Sequence, residues 1–136
     1  MADEAVIIEL LGNGGDPVSF TVADGTGIEK GTVMELTDPR TAIKVSGAGV
    51  VIAGIAAAEK VASDGQTRLA LYTNGIFELK CGAAGTATLG SMVRSAGSDN
   101  TITVSTTLDN ETGKSIGKAL ETGSPNEVIA VAVGVY

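Results

Sequence analysis

Few side chains in this sequence could do chemistry, and they are poorly grouped. There is no histidine, which removes the commonest general acid–base group and the commonest metal ligand. The stretch Ile43-Lys-Val-Ser-Gly47-Ala-Gly49-Val-Val-Ile-Ala-Gly54 opens like a dinucleotide fingerprint. Its third glycine would have to stand at Ile52, and its neighbours read as hairpins rather than βαβ units. A turn entering a buried strand is therefore expected there. Carboxylates lie close in sequence at Glu35 with Asp38 and at Asp109 with Glu111. A catalytic pair needs one raised pKa in a cleft; solvated surface acids are expected instead. Asp109-x-Glu111 is too sparse for a calcium loop, so no metal and no cofactor is expected. Asn110-Glu-Thr112 fits a glycosylation sequon and reads as an ordinary loop. Lys30 precedes Gly31 near a turn, but the acidic tip of a lipoyl carrier is missing. Cys81 is the single cysteine; with no histidine to activate it, it reads as a small buried hydrophobe. No catalytic residue emerges.

The elements that carry these residues are strands. The chain has 136 residues, a net charge of −7 and 19 glycines, against only two Phe, two Tyr and no Trp. Val, Ile and Thr suit pleated surfaces, and the glycines fall between apolar runs as turn punctuation. Val18 to Val22 alternates apolar and polar. Strands are expected at 32–36, 42–46, 67–73, 76–80, 101–105 and 127–136. Asn74-Gly75 is the strongest hairpin signal and should join its two flanking strands. Residues 50–59 could be strand or helix, with Ala53–Glu59 the one helix candidate. Residues 106–113 read as a polar loop. Many short strands with regular turns imply an all-β barrel or sandwich.

A repeat underlies this pattern. Gly31 and Gly90, Ile43 and Ile102, and Gly75 and Gly134 are each separated by 59 positions, while Gly54 and Gly117 are separated by 63. Two similar half-repeats are expected, with residues 28–80 superposing on 87–136. The glycines at 31, 75, 90 and 134 should hold turns that need positive φ or close backbone approach. The basic residues are scattered singly, so no nucleic-acid surface is expected. No apolar run approaches a membrane helix, and the acidic start lacks the features of a signal peptide. The chain is expected to be soluble and made in the cytoplasm.

Residues 15–136 resemble the capsid decoration (cement) proteins of tailed bacteriophages and related viruses. The resemblance rests on Lys30-Gly-Thr-Val-Met-Glu-Leu, Ile52-Ala-Gly-Ile-Ala-Ala-Ala-Glu59, Tyr72-Thr-Asn-Gly-Ile-Phe, Leu89-Gly-Ser-Met-Val, Ser115-Ile-Gly-Lys-Ala-Leu-Glu121 and Val128-Ile-Ala-Val-Ala-Val. It implies a small all-β, β-tulip-like barrel domain on the outer surface of a virion. Its partners would be the major capsid protein and, as a homotrimer at three-fold and quasi-three-fold positions, itself. The family brings no catalytic residues. A non-catalytic β-barrel accessory module of an enzyme or surface assembly is the alternative. Residues 1–15 are expected to be an N-terminal arm and Gly-rich linker, and residues 16–136 the barrel domain. Gly12-Asn-Gly-Gly15 uncouples the apolar segment before it, so Val6, Ile7, Ile8, Leu10 and Leu11 are the expected capsid-binding residues; the alternative is that this segment pairs within its own barrel. The final strand is apolar on both faces: Ile129, Val131, Val133 and Val135 on one, Val128, Ala130 and Ala132 on the other. One face should serve the core; the other could pack on a second sheet or a neighbouring subunit.

Overall fold

A computed structural model describes residues 4–9, 16–97 and 100–134. The chain is nearly all β, and each half of it closes a barrel of its own. The first barrel uses β2 (Val18–Thr21), β3 (Val33–Asp38), β4 (Thr41–Lys44), β5 (Ile52–Ala56) and β6 (Arg68–Tyr72), in the order β2-β4-β3-β5-β6. The second uses β7 (Gly75–Cys81), β8 (Met92–Ser95), β9 (Thr101–Val104), β10 (Ser115–Ala119) and β11 (Val128–Val133). There the order β7-β11-β10-β8-β9 is closed by β9 pairing back onto β7. The arm contributes β1 (Val6–Glu9), added to β7 from outside the ring.

Every pairing in one barrel has its counterpart in the other. The one parallel pair, β2 with β4 at Thr21↔Thr41, matches β7 with β9 at Lys80↔Thr101. The antiparallel pairs β2–β6, β3–β4, β3–β5 and β5–β6 match β7–β11, β8–β9, β8–β10 and β10–β11. Even the irregularities repeat. The register slips beside Gly54 in β5 and beside Gly117 in β10. Both glycines lie against the next strand's backbone: a Cβ on Gly54 would meet the Tyr72 carbonyl oxygen at 2.5 Å, and one on Gly117 would overlap that of Ala132. A bulge bends the strand and sharpens its twist, and a five-stranded ring needs that bend. The four turn glycines at 31, 75, 90 and 134 all have positive φ, as the repeat implied.

Two boundaries differ from the sequence reading. The repeat unit starts at β2, so the halves are 18–72 and 75–133 rather than 28–80 and 87–136. Asn74-Gly75 is not a hairpin between β6 and β7. β6 pairs with β2 and β5, whereas β7 pairs with β1, β11 and β9. Each barrel closes internally, which consumes the edges that such a hairpin would have joined. Residues 52–56 are strand, not helix, and the helix lies at α1 (Thr107–Glu111) inside the expected polar loop. Thr106 and Asp109 form a reciprocal capping box there.

The larger core lies in the second barrel around Phe77, Leu79, Ile102, Ile116 and Val131. It continues into the first through Val33 and Ile55. The smaller core holds Met34, Leu69 and Leu71. Polar bonds clasp the seam between the barrels. Asn100, almost fully buried, accepts the Val33 N–H at 2.9 Å. Gly49 N–H donates to the Ser95 carbonyl, and Ser95 Oγ donates to the Gly47 carbonyl.

Candidate functional site

The residues with chemical potential are spent on structure. Gly47 and Gly49 belong to the clasp just described, and Ala48 bridges to Ala96 across the seam. Glu35 accepts both the N–H and the hydroxyl of Ser46. Asp109 is buried, accepts Thr106 N–H at 2.9 Å and pairs with Arg94 at 3.2 Å, whereas Glu111 is exposed. The hydrogen bond from the Thr106 backbone, assisted by its hydroxyl and by Arg94 and Lys114, holds the Asp109 carboxyl below its ordinary range. That favours an ionised strut and disfavours a general acid. Cys81 is buried, and burial, with the Glu127 charge second, pushes its thiol up; a raised pKa suppresses thiolate chemistry. Among the described residues, no group of three or more His, Cys, Asp or Glu could hold a metal.

Among the described residues Lys60 is the buried cation, and sequence reasoning missed it. Its side chain is fully covered at the end of the first barrel. Its Nζ donates to the Asp24 carbonyl at 2.6 Å, the Val61 carbonyl at 3.1 Å and Asp64 Oδ1 at 3.2 Å. Three donors meet three acceptors, so the ammonium stoppers the barrel. An open cleft of about 510 Å³ beside it is lined by Ile28, Glu29, Lys44 and Glu59. The second barrel puts Gly123 at this place, bridging Ala87 as Lys60 bridges Ile28. Cys81 and Ile129 fill that end instead.

The surfaces available to a partner lie on strands. β1 is not a loose arm: it pairs antiparallel with β7 at Val6↔Glu78 and Ile7↔Phe77. Ala5 donates its N–H to the Gly31 carbonyl and is buried, and Ile7 packs on the larger core. Of the two readings of this segment, the structure has the pairing within its own barrel: β9 covers only the Lys80–Cys81 end of β7, and β1 occupies the rest of that edge. Alternation then turns Val6 and Ile8 outward, 54% and 50% exposed. Leu10, Leu11 and Val135 lie outside the described residues. On the same outer face Val128 is 55% exposed and Ala130 half-buried, while Ile129, Val131 and Val133 point into the core. The last strand thus has one core face and one partly open apolar face. The outer row runs Val6, Glu78, Ala130 across three strands, with Lys80 opposite Val128 in the next. Leu120 and Leu89 add exposed apolar area near the same barrel.

No family model matches the sequence, and no curated protein matches it either.

Proposed function

We propose that this chain is a structural virion protein that binds the outside of a major capsid shell and stabilises it. One observation carries the reading. The second barrel presents an outer sheet face on which Val6, Ile8 and Val128 are each about half exposed, on a scaffold whose polar groups are engaged in barrel ends and seam. Apolar side chains gathered on one face mark an interaction surface, and the family resemblance supplies the partner. The arm serves this role from its docked position, through the side chains of Val6 and Ile8 and not through its backbone. Trimers on the shell would bring such faces together around each axis, each subunit adding to the grip of the others.

Co-sedimentation with undecorated shells of the cognate capsid protein tests this. Val6→Asp combined with Ile8→Asp should leave the fold intact, since both side chains are exposed. The melting temperature should move by no more than about 2 °C, while shell binding falls by roughly tenfold or more. Unchanged shell binding by the double variant would remove this face from the interface. Failure of the natural protein to sediment with shells would refute the decoration role.

A further inference from the structure

The two barrels have the same pairing scheme, yet among the described residues only one of them has its open edge filled by a strand. On β7, alternate residues send their N–H and C=O groups to opposite sides. Cys81 N–H goes to the Glu127 carbonyl beside β11, so Glu78 faces the other way, toward Val6 of β1. The matching residue of β2 is Ser19. Val22 N–H goes to the Thr67 carbonyl beside β6, and Thr21 N–H goes to the Arg40 carbonyl at the β4 side. Ser19 therefore turns its backbone polar groups toward the edge on which β7 carries β1. No strand of the described residues pairs with β2 there. In place of a strand, Arg40 Nη2 donates to the Ser19 carbonyl at 2.7 Å.

Four further observations mark this edge as more than a blunted one. Arg40 adopts φ 48°, a conformation that a residue with a long side chain rarely takes. Its guanidinium lies 5.7 Å from the Phe20 ring centroid, along the edge. From β6, on the other side of β2, Arg68 lies across the strand's outward side chains, its Nε donating to Ser19 Oγ at 3.0 Å. A protein of net charge −7 with nine basic residues has set two arginines on one short strand, Arg40 at its open edge and Arg68 on its outer side chains. Val18 and Phe20 are only half-buried, whereas Phe77, which occupies the place of Val18 beneath β1, is fully buried.

We infer that the β2 edge is a second strand-docking site, which takes an extended segment of the capsid shell subunit bearing apolar residues and a carboxylate. The inference rests on the decoration reading and names the partner element. Strand addition satisfies the backbone groups of Ser19, and alternate apolar side chains cover Val18. The Arg40 guanidinium yields the Ser19 carbonyl to the incoming N–H and pairs, with Arg68, to the carboxylate. The chain's own β1 shows which chemistry fits such a seat, being apolar and preceded by Glu4. A second copy's β1 is not the occupant, because Ala5 and Ile7 are already committed to their own core.

Ser19→Pro tests this on the full chain. Proline there deletes the N–H that faces the open edge, and edge strands accept proline at such positions; it also removes the Oγ that Arg68 meets, so Ser19→Ala, which removes the hydroxyl and keeps the N–H, is the control. The bonds of β2 to β6 use Val18, Phe20 and Val22, so the melting temperature should hold. Binding to undecorated shells should fall by roughly tenfold, and the charge reversal Arg68→Glu should weaken it in the same direction. Shell binding by Ser19→Pro equal to that of the natural protein, with Val6→Asp/Ile8→Asp still defective, overturns this inference and leaves the decoration reading standing. Absence of shell binding by the natural protein overturns both. Oligomers of free protein that Ser19→Pro dissolves would assign the edge to a second copy and overturn the shell segment as occupant.

Discussion

Alanine scanning of four glycines separates the two reasons a β-barrel uses this residue. Gly117 is required by close approach. A Cβ there would overlap the Ala132 carbonyl oxygen and lie 2.8 Å from Val133 Cα. These are backbone atoms of β11, paired with β10 at Gly117↔Val133 and Lys118↔Ala132, so no side chain can swing away. Ordinary contact returns only if the two strands part by about an ångström, and overpacking of this kind costs about 1–3 kcal/mol. Weakening one or two ladder bonds beside it adds about 1 kcal/mol each. Gly117→Ala should therefore lose about 3 kcal/mol or more. For a domain of this size that is a fall in melting temperature of about 12 °C. Gly90 is required by conformation alone: φ is +84° and nothing lies within 4 Å of a Cβ. Its alanine variant should lose about 1 kcal/mol, or about 4 °C. Gly25 has neither constraint, so Gly25→Ala should melt within about 2 °C of the natural protein. Circular dichroism melts and urea titrations with constant m-values are the assays. Gly54→Ala should group with Gly117→Ala, since its Cβ would meet the Tyr72 carbonyl oxygen at 2.5 Å. If Gly117→Ala melts within a few degrees of Gly25→Ala, then β10 and β11 are not this close and the account of ring closure fails.

Two other changes test the polar framework. Lys60→Ala leaves the Asp24 and Val61 carbonyls without their ammonium donor and empties the covered place of the lysine stem; an acceptor left unsatisfied away from water costs about 1–3 kcal/mol, measurable by urea unfolding. Lys60→Met should cost less, because the stem volume is kept. The Asp109 carboxyl is held below its ordinary value of 3.8 chiefly by the Thr106 N–H. A folded-state pKa below the unfolded one gives stability that is fully present above 3.8 and is lost as the pH falls through the lower folded value. Asp64 is lowered in the same sense by the Gln66 N–H and by Lys60. Melting temperatures should thus drop on acidification below this range, and Asp109→Asn should flatten the drop; an unchanged acid slope in that variant would dissociate Asp109 from it.

The sequence carried the class of fold and its internal repeat because strands announce themselves locally. The equivalences at Gly31 with Gly90 and Ile43 with Ile102 survive as matching turns and strands. Closure was not legible, because it depends on one short parallel pairing in each half, Thr21 with Thr41 in the first and Lys80 with Thr101 and Cys81 with Ile102 in the second, between strands distant in sequence. That also misplaced Asn74-Gly75. Its dipeptide fits a tight hairpin turn, but the partner of β7 is chosen by where the ring closes. Thr106-x-x-Asp109 offered the capping signal that marks α1, and five residues were too few for helical periodicity to show. Lys60 gave no signal at all, since a lysine beside Glu59 usually reaches solvent and its shortest bond goes to the Asp24 carbonyl, 36 residues away, while the other two acceptors lie in the loop that follows it. The arm's strand character was visible, but its seat was not, because that seat is the part of β7 that β9 leaves uncovered.

Duplication of a five-stranded ring poses one problem twice. The parallel contact that closes each ring covers only one end of its strand, so each copy carries a short stretch of unpaired edge, and unpaired edges invite other chains. The second barrel solves the problem with β1, whose pairing also buries Ala5 and Ile7 and sends Val6 and Ile8 outward. The first barrel solves it with a guanidinium, which satisfies one carbonyl and leaves Val18 and Phe20 half-covered. A paired strand is a committed solution, because removing it would expose core. An arginine is a reversible one, because an incoming N–H can replace its hydrogen bond to Ser19 while the released charge meets a carboxylate. The asymmetry between the repeats is thus an asymmetry in how firmly each edge is closed, and it places the adaptable edge on the first barrel.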